Sequence, residues 1–252
     1  MMRMTDTVFR RFLFCAAFAG ATTAAAVSAQ RPARPSADPG GWEAPFTAAP
    51  ADLATAGENP YFVLKPGYQL VLEGKESGVA VRLVVTVLNE TKKVGGFETR
   101  VVEERETRNG ALAEVSRNYF AIHKTTRDVF YFGEDVDVYK NGRVISHEGA
   151  WLHGTAGARF GLAMPGNPRP GQRYYQEQAP KVAMDRSEIQ AIDARVTTPA
   201  GTFDRCVKSE ETTPLEPKAR EYKAYAPGVG LIKDGTLELV SVRKWWNDPG
   251  GS

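Results

Sequence analysis

Residues 97–123 read FETRVVEERETRNGALAEVSRNYFAIH. Two strand-like runs flank Asn109-Gly110. A two-residue type I′ turn needs positive φ at both central positions, which Asn and Gly tolerate best, so the spacing predicts an antiparallel hairpin. The first run, 97–108, carries charge on both faces and reads as solvent-exposed. The same turn signal recurs at Asn141-Gly142, between DVDVY and RVISH, and at Asp234-Gly235, between GLIK and TLELVSV. Upstream, VAVRLVVTVL (79–88) is β-branched and alternating, and Ser77 falls in a turn before it. Repeated tight turns point to an antiparallel sheet rather than to parallel βαβ units.

Helix signals are sparse. Residues 179–195, APKVAMDRSEIQAIDAR, are the best candidate. Their apolar positions make no clean i, i+3, i+4, i+7 face. The segment reads equally as a loop leading into a strand at 188–197. The fold class expected is mainly β, with little helix.

The N-terminal stretch MMRMTDTVFRRFLFCAAFAGATTAAAVSAQ has a basic start, a short apolar run and small residues at 27–29. That pattern predicts a secretory signal peptide over 1–29, with cleavage after Ala29. The apolar run is shorter than the ~20 residues a transmembrane helix needs, so no membrane span is expected once the leader is removed. Residues 30–59 are rich in Ala, Pro and Gly and read as a flexible spacer, with Trp42 and Phe46 as exceptions able to dock on the domain. One β-rich domain is expected over 60–246, and a disordered tail over 247–252. The protein is thus expected in the periplasm or secreted.

The chain has 32 Lys+Arg and 30 Asp+Glu. Arg3, Arg10, Arg11 and Asp6 lie in the leader, so the remainder is formally neutral. That balance argues against a nucleic-acid partner, which favours a basic face. Beyond the leader Cys206 is the only cysteine, which excludes an internal disulfide and any two-cysteine metal or redox motif. It sits in an alternating run and reads as buried and inert.

Four runs, taken in order, carry a resemblance. They are NPYFVLKPGYQLVLEG (59–74), FYFGEDVDVYKNGRVISHEGAW (130–151), AMPGNPRPGQRYYQE (163–177) and TPAGTFDRCVKSEETTPLEPKAREYKAYAPGVGLIKDG (198–235). Together they resemble a widespread group of uncharacterised secreted or periplasmic bacterial β-proteins with the TPAGTF…YAPGVGL pattern. More loosely, Pro-Ala-Gly-Thr-Phe followed by a strand and Tyr-x-x-Gly-x-Gly is similar to LolA-like curved-sheet proteins. The resemblance implies a single curved antiparallel sheet or open barrel, and it implies no catalytic residues. Within the last run, YAPGVGL reads as a bend between strands, because proline lacks an N–H and glycine accepts positive φ.

The chemistry-bearing candidates are few. His147, Glu148 and His153 cluster around Trp151 but lack metal-ligand spacing, and no serine sits in a Gly-x-Ser-x-Gly elbow. Glu134/Asp135 and Glu177/Asp185 are paired carboxylates. Residues 149–171 form a long Gly- and Pro-rich segment with aromatic flanks, and long loops in compact domains often border function. The ligand-binding residues expected are Trp151, His153, Tyr174, Glu177 and Tyr225, with no catalytic residue, metal or cofactor assigned. The function expected is binding or carriage of a lipid-like or amphipathic ligand in the envelope. The alternatives are a carboxylate-dependent hydrolase and a structural or assembly factor binding another envelope protein.

Overall fold

The structure, a computed structural model, describes residues 40–244. The expected leader (1–29), the first part of the spacer (30–39) and the tail (247–252) lie outside the described residues. A short 3-10 turn, Pro50–Asp52, precedes the strands β1 (Leu53–Ala54), β2 (Gly57–Asn59) and β3 (Phe62–Leu64). Five longer strands follow: β4 (Tyr68–Glu76), β5 (Val79–Val94), β6 (Phe97–Arg108), β7 (Ala111–His123) and β8 (Val129–Lys140). Next come β9 (Arg143–Ser146), β10 (Trp151–Leu152), β11 (Arg159–Met164), β12 (Arg173–Tyr175) and β13 (Glu177–Gln178). The chain ends in β14 (Arg186–Thr198), β15 (Gly201–Thr213), β16 (Glu216–Ala226), β17 (Gly230–Asp234) and β18 (Leu237–Lys244).

Tight turns set the order. Arg108 pairs with Ala111 across Asn109 and Gly110, whose φ values are 48° and 81°. Lys140 pairs with Arg143 across Asn141 and Gly142 in the same way. Ser77-Gly78 and Gly95-Gly96 make two more such turns. Positive φ at both central residues matches the twist of the flanking strands. The sheet therefore runs as an antiparallel meander, β4-β5-β6-β7-β8, and continues on its other side through β18, β17, β16, β15 and β14.

The two ends of this sheet nearly meet. One end is β12, paired to β14, and the other is β13, paired to β11. Only Gln176 separates β12 from β13 in the chain. A single short segment thus bonds to β14 with its first half and to β11 with its second, leaving a nearly closed, barrel-like sheet. Gly161 on β11 makes this seam feasible. A Cβ there would lie 2.4 Å from the Gln176 carbonyl oxygen, closer than any side chain tolerates.

Residues 40–59, which composition assigns to the spacer, pack on the barrel. Glu43 forms a parallel bridge with Tyr174, and β1 pairs with β7. The scarce aromatics act as anchors. Trp42 is buried against Tyr175, with the guanidinium groups of Arg173 and Arg186 at 4.5 and 4.4 Å from its ring. Such cation–π contacts strengthen as they are desolvated. The buried Asn59 amide donates to the carbonyls of Arg127 and Pro165, both at 2.9 Å.

The helix candidate at 179–195 resolves into a loop and then β14, the strand alternative. Ile189 and Val196 are buried there in extended backbone, where packing against β15 outweighs local propensity. YAPGVGL is a hairpin turn. Ala226 pairs with Gly230, and Gly228 takes φ 72° while its N–H donates to the Pro60 carbonyl. Cys206 is fully buried and free. Among the described residues, no helix is long and apolar enough to cross a membrane.

Candidate functional site

The inner face of the sheet changes character along its strands. On β5 the inward row is Leu83, Val85 and Val87; on β6 it is Val102, Glu104 and Glu106. On β7 it is Phe120, Asn118, Ser116 and Glu114. Register aligns these rows: Val102 lies opposite Asn118, Glu104 opposite Ser116, and Glu106 opposite Glu114. Alternation along a strand sends every second side chain to one face. Here that face encloses a cavity of about 230 Å³.

The wall formed by β3, β4 and β5 is apolar, with Phe62, Val63, Leu70 and Val85 on it. Around the ring from it, the seam and its neighbours contribute Glu177, Asp185, Glu211 and Asp234, while β6 to β8 add Glu104, Glu106, Glu114 and Glu134. Lys223 is the one lining residue with a cationic side chain. The stretch Phe97–Arg108, expected to face solvent on both sides, therefore turns Glu104 and Glu106 inward, and most of its first half is buried.

Burial and hydrogen bonding organise the polar wall. Glu177 is 3% exposed, and its Oε1 accepts the Asp185 backbone N–H at 2.8 Å. The two carboxyl groups also bond to each other. Desolvation, then the charge of Asp185, raises Glu177 well above the usual carboxylate range. Desolvation pushes Asp185 up to about 7 against the opposing bond from Glu177. Burial raises both members of the pair, and two carboxyls in contact share a proton. Glu134 is likewise held well above its ordinary value, by burial and then by Glu114 and Glu104.

Lys223 lies on the same wall. Its Nζ is 3.0 Å from Glu211 Oε2 and 3.7 Å from Asp234 Oδ1. Burial opposes its charge, but Asp234 and Glu211 more than offset this and raise its pKa. Gln176, the seam residue, donates to Glu211 at 3.1 Å. On the other side Tyr131 donates to Asn118 at 2.6 Å and stacks on Phe120 with ring centroids 4.8 Å apart. The Asn118 amide in turn donates to Ser116 at 3.2 Å.

The expected site residues divide. Glu177 and Tyr225 line the cavity. Tyr174 is buried in the main core beside them and does not line it. Trp151 is buried in a separate small cluster with Ala158, Ala179 and Ala183, its ring edge-on to Tyr131 at 5.2 Å. His153 packs among Phe97, Phe132 and Phe160, and burial lowers its pKa. The Gly-rich segment 149–171 reaches the cavity through Ala163. A second opening of about 480 Å³, lined by Phe46, Asp128, Phe130 and Arg169, borders the end of that segment. The barrel cavity is the stronger candidate, because the buried ionisable groups converge on it.

Several cavity residues were not legible in the sequence. Asp234 reads there as the first residue of an Asp-Gly turn. It instead ends β17, opposite Leu237, so the turn is Gly235-Thr236 and the Asp234 side chain is buried at 4% exposure. Glu211 and Lys223 sit in alternating runs whose inner face cannot be told from the outer. The inward row Val102-Glu104-Glu106 was the available signal, since a strand with acids on both faces is unusual for one lying over a core.

His147 and His153 do not converge. His147 Nδ1 lies 2.9 Å from Asp137 instead. Among the described residues, no group of three or more His, Cys, Asp or Glu side chains is arranged to hold a metal ion. No family model, no curated protein and no solved structure matches this chain.

Proposed function

We propose that this is an exported envelope protein of binding or carrier type, taking a lipid-like or amphipathic ligand into its barrel. The observation that carries the reading is the cavity itself, apolar on the β3–β5 wall and polar on the seam wall. Ligand sites are typically concave and largely apolar, with a few placed polar groups that fix orientation. A leader-like N-terminus and the resemblance to periplasmic curved-sheet proteins support the placement in the envelope.

The hydrolase reading gains one observation, since Glu177 and Asp185 meet inside the cavity. Their contact is too close for a glycosidase pair, whose carboxyls stand about 5–9.5 Å apart across a sugar. The carrier reading is therefore preferred.

Native mass spectrometry of protein isolated from the periplasm tests it. The expected result is a bound amphipathic species that leaves on denaturation. Protein that is ligand-free on isolation and takes up no amphiphile would overturn the proposal.

A further inference from the structure

The proposed carrier site has an unexplained asymmetry. An apolar inner wall alone would suit a lipid tail, and lining the other wall with carboxylates makes the barrel itself less stable. Each ionised carboxylate moved from water into an apolar interior carries a desolvation cost unless it is paired. Glu177, Glu211 and Asp234 are 3%, 2% and 4% exposed. Lys223 is already held between Glu211 and Asp234. That leaves the Glu177–Asp185 pair sharing a proton, with the Glu134 carboxyl on the same cavity lining. The void is what marks the site, and the acids determine the sign of what it accepts.

Resting on the carrier reading, we propose that the polar end of the ligand is an organic cation, an ammonium or guanidinium group. It seats against Glu177, Asp185 and Glu134, with its apolar body along Leu70, Val85 and Phe120. An anionic head is disfavoured, because the one lining ammonium, that of Lys223, already pairs with Glu211 at 3.0 Å and lies 3.7 Å from Asp234. A bare divalent cation is disfavoured because the acids are spread around the wall and do not converge as metal ligands. An ammonium with several N–H donors fits dispersed acceptors better, and charge-assisted hydrogen bonds in a desolvated site are the stronger kind. The bound cation also displaces the shared proton, so binding weakens as pH falls. Around the pair, that balance involves Glu104, Glu114 and Glu134 from β6–β8 and Glu211, Lys223 and Asp234 from β15–β17.

Octylamine, octanoate and octanol form a matched set of probes, one cationic, one anionic and one neutral. Calorimetric titration of the whole protein at about pH 8 is expected to show octylamine binding about tenfold tighter than either. Octylamine affinity is expected to fall severalfold as the wild-type protein is taken to about pH 5, with no mutation involved. The double variant Glu177→Gln, Asp185→Asn, shown to be folded by circular dichroism, is expected to bind octylamine no better than octanol. Octanol or octanoate binding as tightly as octylamine overturns the cationic assignment and leaves the carrier reading intact. A pH-independent octylamine affinity, or an undiminished one in the folded double variant, also overturns it. Failure of all three probes to bind overturns the carrier reading and this inference with it.

Discussion

Two walls of one barrel use the same alternation to opposite ends. On β4 and β5 the inward residues Leu70, Leu83 and Val85 are apolar, and burial stabilises them by roughly 25 cal/mol per Å² of surface removed from water. On the seam wall the inward residues Glu177, Asp185 and Glu211 are also buried, and there burial works against their charge. The apolar wall holds the barrel together. The acidic wall is tolerated through a shared proton and one ammonium. Perturbed titration of groups around a cavity is what singles this wall out as the candidate site.

The contrast breaks most sharply at Lys223. Lys223→Met leaves Glu211 and Asp234 buried without their ammonium, and the expected loss is about 3–5 kcal/mol near neutral pH. Because the loss comes from a charged cluster, it is expected to change with pH. Denaturant midpoints measured across pH check this, and a loss independent of pH would detach Lys223 from the acidic wall. On the other wall, Leu72→Ala removes a fully buried side chain and is expected to cost about 3 kcal/mol at every pH. A pH-dependent loss there would show that the two walls are not separate in their energetics.

Asp185 sharpens the comparison with a smaller effect. Its folded-state pKa is raised to about 7, so the folded protein keeps a proton that the unfolded chain releases near the ordinary value of about 3.9. The associated stability is fully present below the unfolded value and is lost as pH rises through about 7. The wild-type denaturant midpoint is therefore expected to fall between about pH 5 and about pH 8, and that of Asp185→Asn to fall less. Parallel curves for the two proteins would remove Asp185 from the acidic wall's titration. The smallest effect lies at the turn between β16 and β17. Gly228 has φ 72° and open space around its Cβ position, so Gly228→Ala meets backbone strain alone and is expected to cost about 1 kcal/mol. An unchanged melting curve would show that this turn relaxes independently of both walls.

The local elements were legible because their signals are local. Asn109-Gly110 and Asn141-Gly142 determine their hairpins through the φ values that those residues alone accept easily. The antiparallel class followed from repeating such turns. Two of the expected ligand residues, Glu177 and Tyr225, reach the cavity, while Trp151, His153 and Tyr174, which lie in or next to the Gly-rich segment, are packed elsewhere. Aromatic flanks do not distinguish a cleft from a core, since both bury the same rings.

The sequence by itself determined the strand pattern, the turns and the mainly β class, because a period of two and a positive-φ pair are properties of neighbouring residues. Tertiary structure decided which face of each strand is inside. A two-residue alternation defines two faces without saying which encloses a void, so Glu104 and Glu106 read as solvated and Asp234 as a turn residue. The near closure at Gln176 depends on β11 and β14, which reach it from opposite sides of the chain, and on Gly161 leaving room for the approach. Only when that seam forms do acids far apart in sequence share one desolvated wall. Their collective charge, and with it the chemistry of the cavity, exists in the fold and in no single stretch of the chain.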